Sequence, residues 1–300
     1  MDGNLFFDQF LEKRKNSDDA VFLEGCRQMY EVSGQEIFAD YIVKNITEKV
    51  DKESTIRSGK AEKYLFDSID TGKQLFFVYE RTGEEKYREA IEGLMEGLTK
   101  LRRTKSGVFS QESDSSEIFR IADFYRILPF YMEYETKYHN KAEYNDIVAQ
   151  FLKVRKCCYN EQNGLYYQAY DEAKEQPWCN NETGLSQEFS MRSMGWYLMA
   201  LIDVIGTMSE EIYEHYRTLG DLFKELIKGI LPCKDAEPGM FGYAICKACR
   251  IGVLNREKYA AEGIKLVESC YRQMDDESND ENMGICMMAY AQTQMLKERI

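Results

Sequence analysis

The sequence predicts an all-α fold built from paired helices, on three observations. Apolar residues recur at i, i+3, i+4 and i+7 almost throughout, the spacing that collects them on one face of a helix. Alternation of the β type over a long run is hard to find. A helix–turn–helix unit also repeats, with MYEVSGQEIFADYIVKNI at 29–46 echoed by VYERTGEEKYREAIEGLM at 78–95. Only four prolines occur and no Gly/Ser-rich linker divides the chain, so residues 1–300 are expected in a single domain, with 44% apolar residues to fill its core.

Taken in order, an N-terminal helix is expected over about 4–15. The units at 29–46 and 78–95 follow, each with a glycine at the turn (Gly34, Gly83) that suits a left-handed C-cap and a Glu-rich restart that suits the next N-terminus. Weaker echoes stand at 132–152, 200–223 and 248–267, with Asn140, Gly206 and Gly252 at their turns. A last helix is expected over about 281–298, where the Met-rich stretch CMMAYAQTQM at 286–295 reads as helix packing. The spacing of roughly 50 residues is longer than that of tetratricopeptide or ankyrin units. Six such hairpins can close into a ring, the (α/α)6 barrel or six-hairpin toroid, whose inner helices surround a cleft. An open superhelix of the same hairpins is the alternative that periodicity leaves standing.

One stretch breaks the pattern. Residues 164–197 (GLYYQAYDEAKEQPWCNNETGLSQEFSMRSMGWY) lack plain helical periodicity and hold both tryptophans of the chain, Trp178 and Trp196. Compact domains seldom keep so long a loop without a function, so this one is read as the wall of a binding cleft. Tyr166, Tyr167 and Tyr170 in it suggest a short hairpin with a sugar-contacting surface.

Charge and cysteine usage narrow the partners. A net charge of −13 and a pI near 4.9 exclude a phosphate-backbone partner, which needs a basic surface. An acidic ligand would need local cations in its cleft. The N-terminus lacks a basic-then-apolar signal pattern and no long apolar run occurs, so a cytoplasmic protein with no membrane contact is expected. Nine cysteines, scattered through helical segments, suit reduced thiols better than a disulfide framework. Cys246 and Cys249 stand at i, i+3 within a helix and read as small core side chains rather than a zinc pair. His139 and His215 are the only histidines and lie among polar residues near helix ends, poor material for a His-based triad or a metal site. No cofactor or metal is called for.

The segments FDSIDTGKQLFFVYERTGEEKY (66–87), GVFSQ (107–111), IADFYRILPFY (121–131), GLYYQAYDEAKEQPW (164–178) and RSMGWYLMAL (192–201) resemble glycoside hydrolase family 105, the unsaturated rhamnogalacturonyl hydrolases. The related unsaturated glucuronyl hydrolases of family 88 share the pattern. The resemblance runs from about residue 22 to 270 and implies an (α/α)6 barrel and an unusual reaction. In that reaction an aspartic acid protonates the C4=C5 enol ether of an unsaturated uronic acid at the end of a lyase-generated oligosaccharide. Water then adds at C5 and the resulting hemiketal opens, so the usual two-carboxylate scheme does not apply as it stands. The partner implied is an acidic oligosaccharide; no oligomeric state follows.

Residue by residue, the resemblance assigns Asp67 to an active-site aspartate and Arg192 and Trp196 to the groups beside the uronic sugar. A guanidinium can take a carboxylate with two parallel hydrogen bonds, and an indole can cover a sugar face. Tyr167 and Trp178 join them as candidate sugar contacts. Elsewhere the sequence departs. Where the family reads Leu-Asp-Gly-Leu-Tyr-Met, with the aspartate as proton donor, this chain reads Ile121-Ala122-Asp123-Phe124-Tyr125-Arg126. Asp123 stands one place on, rotated by about 100° on a helix. Two active-site histidines of the family are Gln111 and Gln168, which hydrogen-bond but do not titrate. The tryptophan before the Gly-Arg pair is Ser190, and the Ser-Gly-Ser-Ala segment is Ala236-Glu237-Pro238-Gly239.

Plainer roles stand beside these. Asp67 and Asp70 could be a hydrated pair capping a helix that starts at Thr71, Arg192 a structural ion pair, and Trp196 plain core. Three functions follow: a hydrolase whose acid is displaced to Asp67, Asp70 or Asp123; a catalytically retired member that binds an acidic sugar or regulates a neighbour; or a scaffold for protein contacts.

Overall fold

The computed structural model describes residues 7, 8, 10, 11, 14, 17–50, 65–110, 117–209, 211–275 and 277–298. It is dominated by helices joined as hairpins. Helices α1 (Ala20–Ser33) and α2 (Glu36–Lys49) form the first described pair. The Asp19 carboxylate caps α1 by accepting from the Phe22 N–H at 2.9 Å. At its other end Gly34 adopts φ +66° and donates its N–H to the Tyr30 carbonyl at 2.8 Å. Gly83 does the same at φ +68° between α3 (Leu65–Thr82) and α4 (Glu85–Lys100), a conformation that costs a side-chain-bearing residue far more. The pair α5 (Phe124–Lys137) and α6 (Tyr144–Cys158) turns through Asn140 at φ +53°.

The next pair, α7 (Met191–Thr207) and α8 (Tyr213–Ile230), departs from expectation. Gly206 is still helical, and the chain leaves the helix at Met208, whose N–H reaches the Val204 carbonyl at 3.0 Å. The apolar face of α7 is buried almost to its end, and that packing outweighs the roughly 1 kcal/mol that an interior glycine costs a helix. The last helices are α9 (Pro238–Arg250), α10 (Arg256–Gln273) and α11 (Asp280–Lys297), the last matching the expected C-terminal helix to within a residue. Of the expected N-terminal helix only Phe7, Asp8, Phe10, Leu11 and Arg14 are among the described residues, with Phe7, Phe10 and Leu11 buried.

The chain divides into two compact units. One comprises Met1–Gly59, Asp70–Leu94 and Pro238–Ile300, the other Lys60–Ile69 and Met95–Glu237. In the first, α1 lies against α2 and α11, and α9 against α10 and α11. Phe22, Met29, Phe38, Ile42, Phe241 and Met287 are fully buried there. The crossing of α1 and α11 is close because Gly284 lacks a side chain: a Cβ there would lie 2.5 Å from the Val21 carbonyl oxygen. A polar seam runs through this interior. The Gln28 amide donates to Glu24 (2.9 Å) and Tyr243 (3.2 Å), and Gln292 donates to Gln28 (2.9 Å). Cys246 and Cys249 sit buried on α9 as core side chains, and burial pushes their thiols up to about 11 and about 12. All nine cysteines are free.

In the second unit α7 packs on α5 and on the 3-10 turn Ile121–Asp123 that precedes α5, while α8 packs on α6 and α7. Its core is aromatic: Tyr197 lies 5.8 Å from Phe124, 5.6 Å from Phe151 and 5.2 Å from Tyr166, centroid to centroid. The segment from 164 is not a plain loop. Strands β2 (Tyr159–Asn160) and β3 (Leu165–Tyr166) form a hairpin, and β4 (Ala169–Asp171) pairs antiparallel with β1 (Ile118–Arg120). These strands are two or three residues long, too short for alternation to register in the sequence.

The Gly284 contact yields a stability test. Gly284→Ala should destabilise the protein by about 1–3 kcal/mol by forcing α1 from α11, despite alanine's higher helix propensity; urea unfolding would show it as a lower midpoint.

Candidate functional site

The clearest chemistry in the second unit begins at the first turn of α7. The Ser190 hydroxyl caps this helix by accepting from the Ser193 N–H at 3.2 Å. The helix then carries Arg192 and Trp196 at i, i+4, on one face. The Arg192 guanidinium carbon lies 5.8 Å from the Trp196 ring centroid, and Nη1 donates to Glu237 Oε2 at 3.0 Å. Trp196 is half-buried and leans on the buried ring of Tyr125, with centroids 4.8 Å apart and planes at 38°. Arg192 is therefore an ion pair, as its plainer role held, yet its side chain stays 38% exposed. Trp196 packs against the unit's interior through Tyr125.

The 3-10 turn Ile121–Asp123 is fastened to the aromatic segment, since the Ile121 N–H donates to the Gln168 carbonyl at 3.0 Å. Ala122 in that turn is half-buried and brings no polar group. Asp123 faces Arg126 one turn on, Oδ1 to Nη1 at 3.7 Å. Arg126 also contacts the Asp67 carboxylate. Asp67 and Asp123 are thus brought together, both on one guanidinium.

Helix α3 begins at Leu65, not at Thr71, so Asp67 lies in its first turn with a 51% exposed side chain. Acidic residues favour a first turn, which is why the helix starts ahead of the aspartates. Asp70, unlike Asp67, is not hydrated. It belongs to the other unit, is buried, and has Lys73 Nζ at 2.5 Å. Burial raises its pKa against the opposing pull of that ammonium.

Asp171, 1% exposed, organises the segment after β4. One carboxylate oxygen accepts from the Ala173 N–H (3.1 Å) and the other from those of Glu175 (2.7 Å) and Gln176 (2.9 Å). Trp178 in that loop is half-buried, with the Arg120 guanidinium 5.7 Å from its ring. Tyr167 stacks on Phe189 at 4.4 Å and receives the Asn160 amide at 3.3 Å on its hydroxyl. Tyr166 is core, not a sugar contact: it is fully buried between Tyr159 and Tyr197. Gln168 is half-buried, and Gln111 lies outside the described residues. The segment leading towards Gln111 is tied to α6 by Arg103, which takes both oxygens of Asp146 at 2.6 and 2.7 Å. Burial works to raise the Asp146 pKa, but the Arg103 hydrogen bonds win and hold it below the usual range.

Arg126, Glu237, Arg120 and Asp171 are the residues that sequence reasoning left without a role. The i, i+3 spacing of Asp123 and Arg126 was a readable signal. The Arg192–Glu237 and Arg126–Asp67 pairs join distant parts of the chain and left none. Among the described residues, no group of three or more His, Cys, Asp or Glu side chains is placed to hold a metal ion, and no helix is long and apolar enough to cross a membrane. Asp171→Ala should cost about 3 kcal/mol by stranding three backbone donors; limited proteolysis should then cut within 172–186 well before the rest of the chain.

Solved structures show the fold. A family 105 glycoside hydrolase of C. acetobutylicum ATCC 824 superposes with a TM-score of 0.84 at 23% identity, covering 99% of both chains. An unsaturated glucuronyl hydrolase specific for heparin superposes with a TM-score of 0.60 at 13% identity, covering 93% of this chain and 86% of the other. The all-α toroid fold expected from the sequence is the fold of these neighbours. Protein Atu3128 of Agrobacterium fabrum is 28% identical over an alignment of 153 residues that covers 45% of this chain and 65% of that protein's length. The sequence profile of Glycosyl Hydrolase Family 88 matches residues 8–254, and the chain belongs to that family.

Proposed function

We propose that the protein binds a uronic-acid oligosaccharide of the kind produced by polysaccharide lyases, and that it carries out the hydration of an unsaturated uronyl C4=C5 bond weakly or not at all. One observation carries this reading: Ala122 stands at the donor position that the family resemblance gives to aspartate, in a turn otherwise kept against α7. Loss of a general acid typically removes a factor of about 10² or more from a rate. Neither neighbouring carboxyl is a good substitute. Asp67 and Asp123 both face Arg126, and a guanidinium favours the carboxylate, whereas a donor must hold a proton. Arg192 and Trp196 offer the ligand a cation and a ring face, and Tyr167 and Trp178 are the further aromatic contacts of this reading.

Two measurements test the reading. With an unsaturated uronyl disaccharide, the wild type should consume the ultraviolet absorbance of the double bond at least about a hundredfold more slowly than an active family member. Hydration should rise in Ala122→Asp, and further in Ala122→Asp with Arg126→Met. Fast turnover by the wild type would reject the proposal. Calorimetry with the same disaccharide should show binding that weakens about tenfold or more in Arg192→Ala, the loss of roughly one charge-assisted contact.

A further inference from the structure

Glu237 occupies the guanidinium that the proposed ligand needs. It lies between the 3-10 turn Leu231–Ala236 and helix α9, and its backbone is not helical, with φ −136° and ψ +66°. Pro238 opens α9 and disfavours helical geometry in the residue before it, so the Glu237 side chain is held out of the helix. There its Oε2 accepts from Arg192 Nη1 at 3.0 Å. The two side chains are 22% and 38% exposed, so water competes for both and the pair is a weak one. A ligand carboxylate could take the same guanidinium with two parallel hydrogen bonds while its ring covers Trp196.

We propose that Glu237 is a specificity-determining residue of this site: its carboxylate stands in for the ligand's, and an acidic sugar binds only by displacing it from Arg192. The inference rests on the acidic-sugar reading above. Its consequence is a tempered preference for acidic sugars. A neutral sugar meets a neutralised Arg192–Glu237 pair and gains nothing from the exchange. An acidic sugar must first win the guanidinium, so affinity is lower than the cation alone would give.

The test is calorimetry of wild type, Glu237→Gln, Arg192→Ala and the double variant with an unsaturated uronyl disaccharide and with a neutral disaccharide. Glu237→Gln keeps the shape and removes the charge. It should bind the acidic disaccharide at least about fivefold more tightly than wild type and the neutral one unchanged, and the gain should vanish when Arg192 is alanine. Thermal melting of each variant separates loss of folding from loss of binding. If wild type binds the acidic disaccharide and Glu237→Gln binds it equally or less well, the role given to Glu237 falls while the acidic-sugar reading stands. If neither binds it, both fall.

Discussion

The second unit depends on burying α7. Along this helix Met194, Tyr197, Leu198, Leu201, Ile202 and Ile205 are all interior, and each such side chain contributes about 1.5–3 kcal/mol when withdrawn from water. That burial fixes the helix against α5 and the Ile121–Asp123 turn. Its first turn, capped by Ser190, reaches solvent, as do Gly206 and Thr207 at its other end, and Arg192 lies in that first turn. Trp196 marks the transition, with its ring tilted against Tyr125 and the Arg192 guanidinium 5.8 Å from its centroid. The scaffold of this face is core: swinging Arg192 about the axis of α7 would also turn the helix's apolar face out of the interior.

The charges gathered on this frame are mostly spent on one another. Arg126 holds Asp67 and Asp123, and Arg192 holds Glu237. In a chain of net charge −13, a cation left without a carboxylate would be conspicuous, and these two are not left so. Guanidinium pairing is well suited to the half-exposed positions involved, since the fork keeps directionality where an ammonium would float. Asp171 shows a different use of charge, with its carboxylate turned inward to satisfy backbone amides and no cation needed.

Much of the fold was legible because helices announce themselves over many residues. The repeat at 29–46 and 78–95 became two hairpins with left-handed glycines where the sequence placed them, and the i, i+3 cysteines fell on a helix interior. The failures have local causes. Gly206 has the sequence character of a terminus but packing carries the helix through it, and α3 starts ahead of Thr71 because Asp67 and Asp70 have different surroundings, one exposed and the other buried. The aromatic segment was recognised as exceptional, but the pairing of β4 with β1 links residues about 50 apart and leaves no local period. Within the site, Arg192 and Trp196 could be singled out from residue type and resemblance. Their partners Glu237 and Tyr125 could not, because ion pairs and ring contacts across a fold carry no spacing rule.

The changes around Ala122 are best understood as a set. In the run Ile121-Ala122-Asp123-Phe124-Tyr125-Arg126, the resemblance expects aspartate at 122 and methionine at 126, and both have changed. Positions 122 and 126 stand four apart at the start of α5, close enough for their side chains to share surroundings. A carboxyl at 122 beside an arginine at 126 would be drawn into an ion pair and held ionised, so restoring the acid alone leaves it in the wrong electrostatic company. Conversely, with alanine at 122 the arginine at 126 has Asp67 and Asp123 as its carboxylate partners. On the proposed reading the two substitutions are mutually permissive, because neither residue alone would suit a corner that must hold and give a proton.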